Sequence, residues 1–304
     1  MGCKTSCAAE KAAWQSNVTM LQAYRQEMIG LLKRERPGEA SDLVNPRTLR
    51  GAFANLAVTY YDFPTWLFRF DDKVARGWAI DINSYRYERN AYVEDVYNLL
   101  TGLLETSSGS ALRNQIAAAG HDLRILPHFD FSHYAVPPHY ALGLSTSARP
   151  GNDPVSTLTD VASTINFSPS MWGRDGKPGS LGFRGPGSDA DEVLFHELVH
   201  GLRSRTGVDI PKSDLDDDCA SDEEFVAIVI TNIYLAEKGE TALRGSNDAF
   251  SAMRRPRDFL GNAQHVRLLR AFRESQPELF AALADIPESK AWWNPVRELR
   301  DAGE

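Results

Sequence analysis

The chain is short of cysteine, with three among its 304 residues: Cys3, Cys7 and Cys219. That is too few for a disulfide framework, which excludes the small stapled scaffolds of secreted domains. It lacks any run of about 18 apolar residues, which excludes an ordinary transmembrane helix. Its opening, Met1–Glu10, carries no apolar stretch, so no secretory signal peptide is expected. Basic charge is scarce too: 33 Lys plus Arg face 41 Asp plus Glu, for a net charge of −8. Such a chain is a poor candidate for a nucleic-acid binder, whose affinity comes largely from neutralising phosphates. No internal repeat and no low-complexity tract is evident. What remains is an ordinary globular composition, 42% apolar and 10% aromatic, long enough for one large domain or two small ones.

The N-terminal residues carry a modification signal. Met1-Gly2-Cys3-Lys4-Thr5-Ser6 fits the pattern for N-myristoylation at Gly2, and the adjacent Cys3 can take a palmitoyl chain. One acyl chain binds membranes only marginally, so Cys3 supplies the second signal that stable anchoring needs. A helix is expected from Glu10 to about Arg34, ended by Pro37-Gly38, with Pro37–Pro46 as a linker. Residues 1–46 therefore read as an arm, and residues 47–304 as one domain without a later linker. Within that domain, helices are expected at Ala91–Glu105 and Ser110–Ala119. Short strands are expected at Asp122–Leu126 and Thr159–Phe167. The Gly- and Pro-rich stretch Gly173–Ser188 must be a loop.

Chemistry enters immediately after that loop. In Ser188-Asp-Ala-Asp-Glu-Val-Leu-Phe-His196-Glu197-Leu-Val-His200, Ser188 or Asp189 caps a helix with acidic residues in its first turn. His196 and His200 are four residues apart, so both imidazoles leave one side of that helix on successive turns. Two nitrogens so placed can share one Zn²⁺ at about 2.0–2.1 Å each. Glu197, beside the first His, can take a proton from the water that zinc acidifies. A catalytic zinc site needs a third protein ligand and an open fourth position. Gly207 ends the helix, an acidic loop follows at Asp214–Asp218, and Ser221 opens a second helix running to about Ala236. Glu223 or Glu224 in its first turn can face back to the metal, with the small Ala227 allowing close approach of the helices. This is a gluzincin arrangement: one of the pair is the third ligand and the other supports a ligand.

This combination resembles the zinc metalloprotease effectors that plant and animal pathogens inject through type III secretion. The likeness is nearest to XopG-type plant effectors, then to NleD-like effector peptidases, and more distant to clostridial neurotoxin light chains. The residues that carry it run from about Ser107 to Glu240. They include Ser107-Ser-Gly-Ser-Ala-Leu112, Ile165-Asn-Phe-Ser-Pro169, His196-Glu-Leu-Val-His200-Gly201 and Glu223-Glu224-Phe225-Val226-Ala227. The neurotoxin doublet, whose first Glu is the ligand, favours Glu223. The gluzincin preference for a small residue three positions after the ligand favours Glu224; the balance is tipped slightly to Glu223.

The resemblance implies an α+β, zincin-like fold, with a mixed sheet beside the HExxH helix and a helical C-terminal part. It implies a zinc endopeptidase with one Zn²⁺ per chain, acting on a host protein after bacterial secretion into the host cell, at the plasma membrane or in the cytoplasm. It implies that Thr164, Ile165, Asn166 and Phe167 form an edge strand to which extended substrate adds. It also implies an Arg and a Tyr that stabilise the oxyanion; Tyr234, Arg254, Arg255, Arg257 and His265 are the candidates, and no spacing selects one. His121, His128, His133 and His139 show no metal-ligand spacing. Two other readings stand beside this one: a membrane-anchored protein that binds a host protein through a structural or degenerate zinc site, and a zinc hydrolase of small molecules.

Overall fold

The computed structural model describes residues 48–49, 56–59, 82–120, 123–126, 148–149, 164–167, 169, 172, 185–208, 222–245 and 250–303. The proposed lipidation residues Gly2 and Cys3, the Glu10–Arg34 helix, the linker, the acidic loop and the four clustered histidines lie outside them. Among the described residues there are five short strands: β1 (Thr48–Leu49), β2 (Leu56–Thr59), β3 (Leu123–Leu126), β4 (Ala148–Arg149) and β5 (Thr164–Asn166). They form one sheet in the order β1-β2-β3-β5-β4. The three central strands run parallel, and the outer two are antiparallel to their neighbours. Ile125 and Ile165 are cross-strand partners, and both are fully buried.

The helices are α1 (Ile82–Leu104), α2 (Ser107–Ala118), α3 (Ala190–Thr206), α4 (Asp222–Glu237), α5 (Ala263–Ser275), α6 (Pro277–Ala284) and α7 (Pro295–Asp301). None of the described helices is long and apolar enough to cross a membrane. One continuous core links the described elements from β2 to α7. Val96, Leu100 and Leu103 of α1 bury the i, i+4, i+7 face that a helix of 3.6 residues per turn places together. In the C-terminal part Trp293 is buried, its indole N–H donating to the Pro256 carbonyl, while Trp292 is 41% exposed.

The expected edge strand is corrected here. β5 is an interior strand: Thr164 and Ile165 pair with Arg149 and Ala148 on one side, and Thr164, Ile165 and Asn166 pair with β3 on the other. Its ladder is therefore already filled, and Phe167 just beyond it is buried in the core. The margin beside β5 belongs to β4, which also lies against α3.

Helix α3 meets the sheet at Gly201. A methyl group there would stand 2.8 and 2.9 Å from the two end carbons of Leu123 and 3.4 Å from Ile165. The absence of a side chain lets the helix approach the strands closely. That fixes the depth at which its histidines sit.

Candidate metal centre

Helix α3 is buried almost all round, yet it carries a stripe of polar residues at Glu192, His196, His200 and Arg203. Spacings of four, four and three residues place them on one face. Antiparallel to it runs α4, whose facing stripe is Glu223 and Glu224, Ala227, Thr231, Tyr234 and, just past its end, Lys238. Contacts pair the two stripes along their length, with Arg203 and His200 meeting the start of α4 and Asp191 and Glu192 meeting Lys238 at its end. Ala227, fully buried, contributes only a methyl group at the crossing.

The start of α3 is anchored by its own acids. The Glu192 carboxylate accepts the backbone N–H groups of Gly187 and Asp189, at 3.0 and 3.2 Å. Lys238 donates to Asp191 at 2.6 Å and to Glu192 at 3.0 Å. Burial works against the Lys238 charge, but Glu192 and Asp191 hold its pKa above the ordinary lysine value. The helix ends at Gly207, whose left-handed φ of 67° suits glycine, and its N–H closes on the Arg203 and Ser204 carbonyls.

At the centre, three ligand groups converge. His196 Nε2 and His200 Nε2 lie 3.1 Å apart. The Glu224 carboxylate reaches both, Oε2 at 3.2 Å from His196 Nε2 and Oε1 at 3.3 Å from His200 Nε2. Donors about 2.0–2.1 Å from a tetrahedral zinc stand about 3.3–3.4 Å from one another, so the two imidazole nitrogens have nearly the spacing such an ion requires, with one oxygen of Glu224 close to each. Glu223, the carboxylate favoured slightly by sequence, is not one of the three. It faces the other side of His200, 3.2 Å from Nδ1, and accepts from Arg203 Nε at 2.8 and 2.9 Å. Adjacent residues on a helix diverge by about 100°, so one carboxylate reaches each side of the His200 ring.

The tautomers follow from the outer partners. The Thr231 hydroxyl donates its proton to the Ala227 carbonyl at 2.7 Å, so toward His196 Nδ1, 3.2 Å away, it acts as acceptor. The Glu223 carboxylate likewise accepts from His200 Nδ1. Both rings thus hold a proton on Nδ1 and turn Nε2 inward, the orientation a metal would need. Burial, followed by the Arg244 charge, pushes His196 down to about 4, leaving it neutral and ligand-ready at neutral pH. Burial would lower His200 as well, but its bonds with Glu223 and Glu224 outweigh that and raise it to about 10. Burial would raise Glu224; contacts with His196 and His200 hold it far below the usual carboxylate range instead. A proton on His200 offsets the neighbouring carboxylates, and a metal held by His196, His200 and Glu224 would take its place.

Glu197 is buried beside these three groups, and its charge acts on both His200 and Arg244. Arg244 is the residue that the sequence did not single out. It is 3% exposed, lies over the Phe250 ring at 4.6 Å, and interacts electrostatically with Glu224 and Glu197. A buried amide holds its backbone: Asn232 donates to the Arg244 carbonyl and accepts its N–H, both at 2.8 Å. The segment then folds back, Gly245 N–H donating to Ser251 O and Met253 N–H to Leu243 O. Gly187, at φ 88°, passes so close that a side chain there would meet the Arg244 Cδ at 3.1 Å. No local spacing marks Arg244, because the residues that surround it, Gly187, Asn232 and Phe250, come from well-separated parts of the chain.

The earlier oxyanion candidates lie elsewhere. The Tyr234 hydroxyl donates to Asp191 at 2.6 Å, and its ring stacks on Phe195. Arg254, Arg255 and Arg257 are exposed. His265 Nδ1 is bound to the Phe259 carbonyl at 2.9 Å. Among known proteins, no family model, curated sequence or solved structure matches the chain.

Proposed function

We propose that this chain is a zinc-dependent endopeptidase of zincin-like, α+β architecture. The observation that carries the reading is the convergence of His196, His200 and Glu224, the two Nε2 atoms 3.1 Å apart with one Glu224 oxygen 3.2–3.3 Å from each, and Glu197 buried beside them. Two imidazoles and one carboxylate are the donor set of hydrolytic zinc sites that keep a fourth position open. Zn²⁺, when bound, supplies a Lewis acid and acidifies the attacking water. Glu197 takes the proton from that water and passes it to the leaving amine. Arg244 offers positive charge where the carbonyl oxygen becomes anionic. Glu197 favours hydrolysis over the anchored-adaptor reading, since a structural zinc site has no use for a buried proton acceptor.

A polypeptide substrate is favoured by β4, the outermost described strand on the side of β5 and a neighbour of α3. An extended chain added there would run past the metal helix and be held through its main chain. The host setting rests on the resemblance to type III effectors, together with acylation at Gly2 and Cys3: delivery by a bacterium into a host cell, and cleavage of a host protein at the membrane or in the cytoplasm.

Two measurements test this. Purified protein is expected to contain about one zinc per chain, and His196→Ala, His200→Ala or Glu224→Ala to lose it. In a host proteome, new N-termini appear with the native protein and are absent with Glu197→Ala, which keeps its zinc. Proteolysis retained by Glu197→Ala overturns the mechanism.

A further inference from the structure

Arg203 is a fully buried side chain. A charge so placed costs several kcal/mol unless it is paired and hydrogen-bonded. All three of its nitrogens are engaged. Nε donates to both Glu223 oxygens at 2.9 and 2.8 Å, Nη1 to Gln276 Oε1 at 2.8 Å, and Nη2 to the Val208 carbonyl at 3.1 Å. Gln276 stands between α5 and α6, and its amide also donates to Thr206 Oγ1 at 3.3 Å. The guanidinium therefore ties α3 to the start of α4 and to the C-terminal helices. A buried ion pair is a weak source of net stability compared with apolar residues of the same volume. This pair has a second contact that packing does not require, since Glu223 Oε1 also accepts from His200 Nδ1.

We infer that Arg203 and Glu223 are positioning residues for the metal centre. Resting on the zinc reading above, the pair aims His200 and sets the protein's affinity for zinc. The order of action is Gln276 to Arg203 to Glu223 to His200. Gln276 and Val208 fix the guanidinium, the guanidinium fixes both oxygens of Glu223, and Glu223 fixes the ring and its Nδ1 proton. Nε2 is then the nitrogen turned toward Glu224. The C-terminal helices thereby reach the metal centre without supplying a ligand.

The test compares zinc affinity, by chelator competition, and the visible spectrum of the Co²⁺-substituted protein in the native chain and two variants. Arg203→Met with Glu223→Gln removes the pair without leaving an orphan charge. Glu223→Asp keeps the charge and its arginine partner but withdraws the carboxylate from His200. In each, circular dichroism of the metal-free protein reports the fold. The expected result is a folded protein whose zinc affinity falls about 10–100-fold, with an altered cobalt spectrum. Native affinity and spectrum in the folded double variant overturn the proposal; should that variant not fold, the same readings on Glu223→Asp decide it. Failure of the native chain to bind zinc sinks the metal reading itself, a separate outcome.

Discussion

Tyr234, a candidate by sequence, spends its hydroxyl on Asp191, at the end of the helix pair away from Glu224. Burial and the Asp191 charge push its phenol above the usual range, which suits a packing residue with a fixed proton. Arg244, not a candidate by sequence, is buried within the electrostatic reach of Glu197 and Glu224. Arg244→Met, close in volume and without an orphan charge, is expected to keep zinc at about one per chain. Its kcat on a cleaved peptide should fall about 10²–10³-fold, the usual loss when an oxyanion donor is removed. Equal turnover by variant and native protein removes Arg244 from the mechanism.

Among the elements, α2 is held by a contact that explains its Ser-Ser-Gly start. The Glu237 carboxylate, at the end of α4, accepts the Ser107 and Ser108 backbone N–H groups and the Ser108 hydroxyl. An anion at a helix N-terminus meets unpaired N–H groups and the positive end of the helix dipole. Burial would raise the Glu237 pKa, but the Ser108 and Ser107 bonds lower it below 4.5. The folded protein thus keeps Glu237 ionised at lower pH than the unfolded chain does. Its contribution is complete above about 4.5 and fades as pH falls through the lower folded value. Glu237→Gln should cost about 1 kcal/mol at pH 7, and urea unfolding should show that gap closing in acid. Gly109 completes the junction, since a methyl group there would lie 1.9 Å from the Leu103 carbonyl oxygen. Backbone cannot yield as a side-chain tip can, so Gly109→Ala should lose about 1–3 kcal/mol, read from the urea midpoint.

For the molecule as a whole, His196, His200 and Glu224 meet between α3 and α4, so a metal held by them would link stability to metal content. A ligand that binds only the folded state adds about 4 kcal/mol at a thousandfold excess over its dissociation constant. Chelation should therefore lower the Tm reversibly, and added zinc should restore it. His196→Ala should show the lower Tm with or without chelator. A Tm that ignores both zinc and chelator contradicts a metal between α3 and α4.

The sequence by itself determined what depends on neighbours along one helix. The four-residue spacing of His196 and His200 follows from a period of 3.6 residues, the acidic first turn from the helix dipole and the stop from glycine's left-handed φ, and all are found on α3 or at its end. The tertiary structure decided what depends on how elements meet. Whether Glu223 or Glu224 faces the histidines is a matter of α4's rotation against α3, a difference of one residue or about 100°. The small Ala227 three residues after Glu224 was the one local sign of the answer. The interior position of β5 depends on a two-residue partner, Ala148–Arg149, that carries no strand pattern of its own. Arg203 and Arg244 read along the chain as ordinary surface arginines. Only the packing of α3, α4, Gln276 and Phe250 around them encloses their charge, and a buried cation must then find carboxylates, here Glu223 for Arg203 and Glu224 with Glu197 for Arg244.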